Sequence, residues 1–319
     1  MAAILYLLHG ATLALAWLLL CNLAATAVVG VVALRLTAGS RTGSPGFWLA
    51  VRLSPAALSM AFVALVFVPS YWRYEPREFV EGFDISLTTL AALAIAVVVA
   101  AVLRGATAWR RARIRTDAWM RTSVPLTLAD ASIPVHAIDT AAPIMALVGL
   151  WRPRLLIARP VLEALTEEEL SVSIAHELGH WRAWDNLKRL AMRAAPDLLF
   201  AAGVARVIER RWVAASEQVA DTRAGNSDSA RCALASALVK VARLTPPVSS
   251  IAEPISALVD GGDITARVQR LLGDPASGPR PRPARWLPLA IPVAALALSY
   301  MPLLLIVHAA TEILVNSLP

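Results

Sequence analysis

From Met1 to Leu34 the chain carries no charged side chain, and Leu5–Leu34 is an almost unbroken run of Leu, Ala and Val. This feature constrains the fold before any other. As a helix rising 1.5 Å per residue, the run exceeds a hydrocarbon core of about 30 Å, so it spans with a tilt or projects beyond one face. A cleaved signal peptide would open on a basic segment. That segment is missing, and apolar sequence continues past Ala24–Ala27, so an uncleaved anchor is expected.

Three further runs have the same character: Ser54–Val68, short and containing Pro55, Ile85–Leu103, and Trp286–Ala310 with its internal prolines. A hydrophobic content of 57% and a mean hydropathy of +0.60 are too apolar for an ordinary soluble domain. Four spans are expected, with a buried soluble helix as the alternative for the second.

The net charge of +7 is distributed in a way that argues against a nucleic-acid surface. Arg35, Arg41 and Arg52 lie between the first two runs. Arg104, Arg110, Arg111, Arg113 and Arg115 follow the third, and Arg280, Arg282 and Arg285 precede the fourth. The connection between runs two and three carries Glu75, Glu78, Glu81 and Asp84 instead. Cytoplasmic loops collect Lys and Arg, which sets the basic loops inside and both termini outside. The arginines then read as orientation signals beside anionic lipid, with no direct nucleic-acid binding. Cys21 and Cys232 fall in different compartments on this reading, and no disulfide is expected.

The fold class expected is mainly α: a four-helix transmembrane anchor with a cytoplasmic α+β domain inserted between spans three and four. The boundaries are 1–105 for three spans, 106–272 for the inserted domain, 273–285 for a Pro- and Arg-rich linker, and 286–319 for the fourth span and a short external tail. Within the insert, IPVHAI, IMALVGL and RLLIA are short β-prone runs separated by Pro and Gly, and they predict a small sheet. Leu198–Ala205 is apolar but too short to cross a bilayer, so it packs on a span or dips into the interface. Asn226–Cys232 reads as a polar turn.

Next comes LTEEELSVSIAHELGHWRAW. Thr166 and Glu169 form a capping-box pattern, and three acids fill the first turn, where the helix dipole favours them. Leu170, Ile174, Leu178 and Trp181 recur at helical spacing, and His176 and His180 share the opposite face. Two imidazoles one turn apart can hold one zinc ion. Glu177 between them can act as general base toward a water that zinc acidifies to a pKa of about 7. Ordinary helix-surface histidines are the alternative. A catalytic zinc needs a third protein ligand, and SEQVAD offers Glu217, with Asp221 placed to accept the other N–H of a ligating histidine. Asp185 is expected to be solvated or paired with Arg182, and Trp181 and Trp184 to serve in packing or at the interface.

The order LLIARPVLEALTEEELSVSIAHELGH, an apolar segment after Pro196, then SEQVAD, resembles the BlaR/MecR-type integral-membrane metallopeptidases, over about residues 130–230 and in span order. The resemblance implies a gluzincin-like, zincin-type peptidase domain in the bacterial inner membrane. His176, His180 and Glu217 would be zinc ligands, Glu177 the base and Asp221 the partner of a ligand histidine. It also implies a protein or peptide substrate such as a DNA-binding repressor, self-cleavage, and binding of the substrate backbone along the strand before the helix. Only ATEILVNSLP follows the last apolar run, so an antibiotic-sensing external domain is not expected, and a partner or the membrane lipid would supply the signal. Two other functions fit the same features: an HtpX-like quality-control protease, and a non-catalytic membrane sensor or scaffold.

Overall fold

A computed structural model describes residues 2–38, 43–76, 84–128, 132–140, 142–201, 203–244, 256–257, 264–273 and 287–317. The chain is mainly helical with one small mixed sheet. Among the described residues, four helical stretches are long and apolar enough to cross a membrane: Ala3–Leu36, Pro45–Tyr74, Ile85–Arg121 and Ser299–Ser317. The second is longer than the run Ser54–Val68 suggests, because α2 (Pro45–Phe62) continues through a π-helical turn at Val63–Phe67 into α3 (Val68–Tyr74). Pro55 does not break it. Helix α1 covers Ala2–Ala38, and α4 covers Ile85–Arg121, starting on an Asp84 side-chain cap. All of the expected linker 273–285 except Gly273 lies outside the described residues, as do Arg41, Glu78 and Glu81.

The sheet runs in the order β1 (Ser123–Leu126), β2 (Val135–Ile138), β4 (Arg154–Ala158), β3 (Met145–Val148), β5 (Ser256–Ala257). Only the β2–β4 pair is parallel. Strand β4 reads RLLIA because it is central, and Leu155, Leu156, Ile157 and Ala158 are all fully buried. This corrects the expectation that the strand before the helix binds substrate backbone: β4 is already paired on both edges, by β2 and β3. Gly149, at φ +91°, closes the β3–β4 hairpin; a β-carbon there would lie 2.5 Å from the Arg152 carbonyl oxygen.

Five helices complete this part: α5 (Arg159–Ala164), α6 (Glu167–Arg182), α7 (Asp185–Ala194), α8 (Val204–Ala224) and α9 (Asp228–Leu244). Helix α9 starts inside the segment read as a polar turn, where the Ser227 hydroxyl caps the Ala230 N–H at 3.1 Å. One core lies between the sheet, α6 and α9, built on Leu155, Ile157, Ile174, Leu178, Leu234 and Leu238. A second joins Ala33 of α1 and Trp48 of α2 to Met192, Leu199, Ile208 and Trp212. The apolar Leu198–Ala205 segment thus packs on the spans, and Asn22 of α1 donates to the Pro196 carbonyl at 2.8 Å.

Arg52, read from sequence as one of the basic loop residues beside lipid, lies inside the protein. It is fully buried, with Nη1 2.5 Å from Asp197, Nε 3.1 Å from Glu209 and Nη2 2.6 Å from the Met192 carbonyl. A guanidinium at this depth needs carboxylates within reach, and the α7–α8 connection and α8 supply them. Helix α10 (Ile264–Leu272) packs on α9, and α11 (Leu287–Ser317) contains the fourth apolar stretch.

Candidate metal centre

Helix α6 is fixed at its start by the reciprocal pair anticipated from sequence. The Glu169 N–H donates to the Thr166 hydroxyl at 3.3 Å, and the Thr166 N–H donates to Glu169 Oε2 at 2.8 Å. The Glu169 carboxylate also accepts from Ser236 at 2.6 Å and Lys240 at 2.7 Å, both on α9. Burial opposes its charge, but the Lys240, Ser236 and Thr166 bonds prevail and hold the carboxyl down at about 2.

One face of α6 packs on the sheet, and the face carrying His176 and His180 packs on α8. Gly179 faces Ala220 there, and an added β-carbon would meet it at 3.6 Å, an ordinary van der Waals contact. His176, Glu177, His180 and Glu217 are each no more than 1% exposed. The two imidazoles present Nε2 to one another at 3.2 Å. Glu217 of α8 reaches both, with Oε2 3.5 Å from His176 Nε2 and Oε1 3.4 Å from His180 Nε2. The ligand atoms of His176, His180 and Glu217 all lie within 4.8 Å of one another.

The remaining ring nitrogens meet carboxylates. Asp221, one turn beyond Glu217, places Oδ1 3.1 Å from His176 Nδ1. Asp185 places Oδ2 2.8 Å from His180 Nδ1. Asp185 is therefore neither solvated nor paired with Arg182; it is 2% exposed and faces the centre. A backbone feature with no sequence signal turns it inward. Trp184, between α6 and α7, has φ +58° and ψ +34°, the left-handed conformation that bulky residues rarely adopt. The turn also aims Asn186 at the hairpin, where its side chain donates to the Leu147 carbonyl at 3.1 Å.

A third contributor escaped sequence reasoning entirely. Arg267 of α10 is 2% exposed and sets Nη1 2.9 Å from Glu217 Oε2. Its Nη2 and Nε lie 2.6 and 3.0 Å from the two oxygens of Asp221. Burial opposes the Glu217 charge, yet His180, His176 and Arg267 hold its carboxyl far below the usual carboxylate range. For His176, burial opposes the imidazolium, but Asp221 and Glu217 outweigh it and lift the group to about 9.

The residues present fit a zinc ion. Two imidazole Nε2 atoms and one carboxylate converge, each imidazole is backed by an aspartate, and among the described residues no cysteine joins the group. Glu177 supplies a separate indication. Both of its carboxylate oxygens are buried with no hydrogen-bond partner among the described residues, and burial pushes its pKa up. A structural site would have no use for an unsatisfied carboxylate beside its ligands.

All five sequence-predicted residues, His176, Glu177, His180, Glu217 and Asp221, are brought together. No curated protein matches the chain. Residues 129–253, which include all five, match the model of Peptidase family M48. Over those residues the chain is similar to Peptidase family M48, and its described residues include four helices of membrane-spanning length.

Proposed function

We propose that this chain is a membrane-anchored zinc endopeptidase whose catalytic part, between the third and fourth spans, faces the cytoplasm. The convergence of His176, His180 and Glu217 beside the unsatisfied Glu177 carries the reading. The three would hold the ion, with Asp221 and Asp185 orienting the imidazoles and Arg267 orienting both α8 carboxylates. When bound, zinc supplies the electrophile that activates water near neutral pH. Glu177 takes the proton from the attacking water and returns it to the departing amine nitrogen.

Two substrate classes fit one centre: a cytoplasmic repressor, as the BlaR/MecR resemblance implies, and membrane proteins under quality control, as in HtpX-like proteases. A proteomic comparison of cells with active and inactive enzyme separates them. The chemistry is tested on the purified full chain in detergent. Wild type is expected to carry one zinc and to cleave. Glu177→Gln is expected to keep the zinc and lose about two to four orders of magnitude in rate. Equal proteolysis in the two proteins would overturn the reading.

A further inference from the structure

We infer that a basic, aromatic groove between α4 and the β3–β4 hairpin docks an acidic segment of the protein substrate; this rests on the peptidase reading above. The groove encloses about 600 Å³, and its walls include Trp109, Arg113 and Thr116 of α4 with Trp151, Arg152 and Arg154 of the hairpin. Three arginines face it against one acid, Asp117, whose Oδ2 is 3.8 Å from Arg113 Nε in an exposed pair worth little. The aromatic side is open to solvent: Trp151 is 75% exposed and Trp109 47%. Exposed indoles beside guanidinium groups are the composition of recognition surfaces, where Trp and Arg carry most of the binding energy.

The groove leads toward the metal centre. Gly149 and Leu150 line it and also line a small cleft bordered by His180, Trp184 and Asp185. Trp184 continues the aromatic wall, its ring edge-on to Trp151 at 5.9 Å. The strained turn that aims Asp185 at His180 therefore also sets Trp184 between groove and centre.

Depth distinguishes a polypeptide from a lipid headgroup. The continuous exposed aliphatic belt of α4 ends at Leu103, next to Arg104; beyond it the exposed Trp109 and Ile114 stand singly among Arg110, Arg111, Arg113 and Arg115. Along the helix, Trp109 stands about 9 Å beyond that point and Asp117 about 21 Å. The headgroup layer is only about 5–8 Å thick on each side. The groove thus opens beyond the lipid, where a chain held near the surface would pass. Its charge selects an acidic segment, with an aromatic or aliphatic residue for the tryptophans.

The test uses the full chain with Glu177→Gln, so that binding is read without cleavage. A fluorescein-labelled peptide rich in Glu with one Phe, and its Lys-for-Glu counterpart, are followed by anisotropy in neutral detergent. The acidic peptide is expected to bind at least tenfold more weakly to Arg113→Glu/Arg152→Glu and to Trp151→Ala. The Lys peptide should regain affinity for the charge-reversed protein, a result that misfolding cannot produce. In the active background the same changes should raise KM and leave kcat unchanged. Equal binding to all variants, or full displacement of the peptide by nanodiscs of anionic but not neutral lipid, would overturn the docking role. Absence of cleavage by wild type with peptide binding intact would instead count against the peptidase reading alone.

Discussion

At the scale of single residues, the site depends on carboxylates that never touch the metal position. Asp185 holds His180 Nδ1 at 2.8 Å and Asp221 stands 3.1 Å from His176 Nδ1, which sets the tautomer that leaves each Nε2 free for an ion. Asp185→Asn is expected to weaken zinc binding by about 10–100-fold, measured by competition with a chromophoric chelator, while Asp117→Asn on the exposed face leaves it unchanged. Of these residues, the ones with periodic spacing were legible in the sequence: His176 and His180 at i and i+4, Glu217 and Asp221 at i and i+4 again. Asp185 was misread because its position depends on a left-handed Trp184, a conformation no tryptophan advertises. Arg267 had no local signature, since a long-range ion pair leaves no mark on the spacing around it.

At the scale of elements, α6 is the part whose sequence and structure agree most closely. Its cap, acidic first turn and apolar stripe are all local signals, and all are realised. What the cap hides is a tertiary role, because Glu169 also anchors α9 through Ser236 and Lys240. Its carboxyl is depressed from 4.5 to about 2 in the fold, so the stabilisation it gives is complete above about pH 4.5 and lost as pH falls through about 2. Thermal unfolding of wild type should therefore move to lower temperature across that window more steeply than that of Glu169→Gln. The close approach of α4 and α7 sets a different limit. A β-carbon at Gly105 would lie 2.8 Å from Ala194 Cβ, so Gly105→Leu should force these helices apart, and cysteine crosslinking between their exposed positions should report the wider gap. The sheet was legible as short strands, but not its order, because nothing local tells β4 to sit between β2 and β3.

For the molecule as a whole, the apolar runs announced the spans, while the way the remaining chain joins them stayed hidden. Arg52, counted by sequence as a surface charge, is the joint: a buried cation held by Asp197 and Glu209. Removing it strands Asp197 in an apolar core, so Arg52→Met should cost about 3–5 kcal/mol, read as faster proteolysis in detergent, and adding Asp197→Leu should recover much of the loss. The location of this joint matters beyond stability. Glu209 and Glu217 lie on the same helix, about 12 Å apart along its axis. A rod of that length barely bends. Through Glu209 it is tied to Arg52 of α2, and through Glu217 it faces His176 and His180, so one stiff helix joins a membrane-length helix directly to the candidate metal centre.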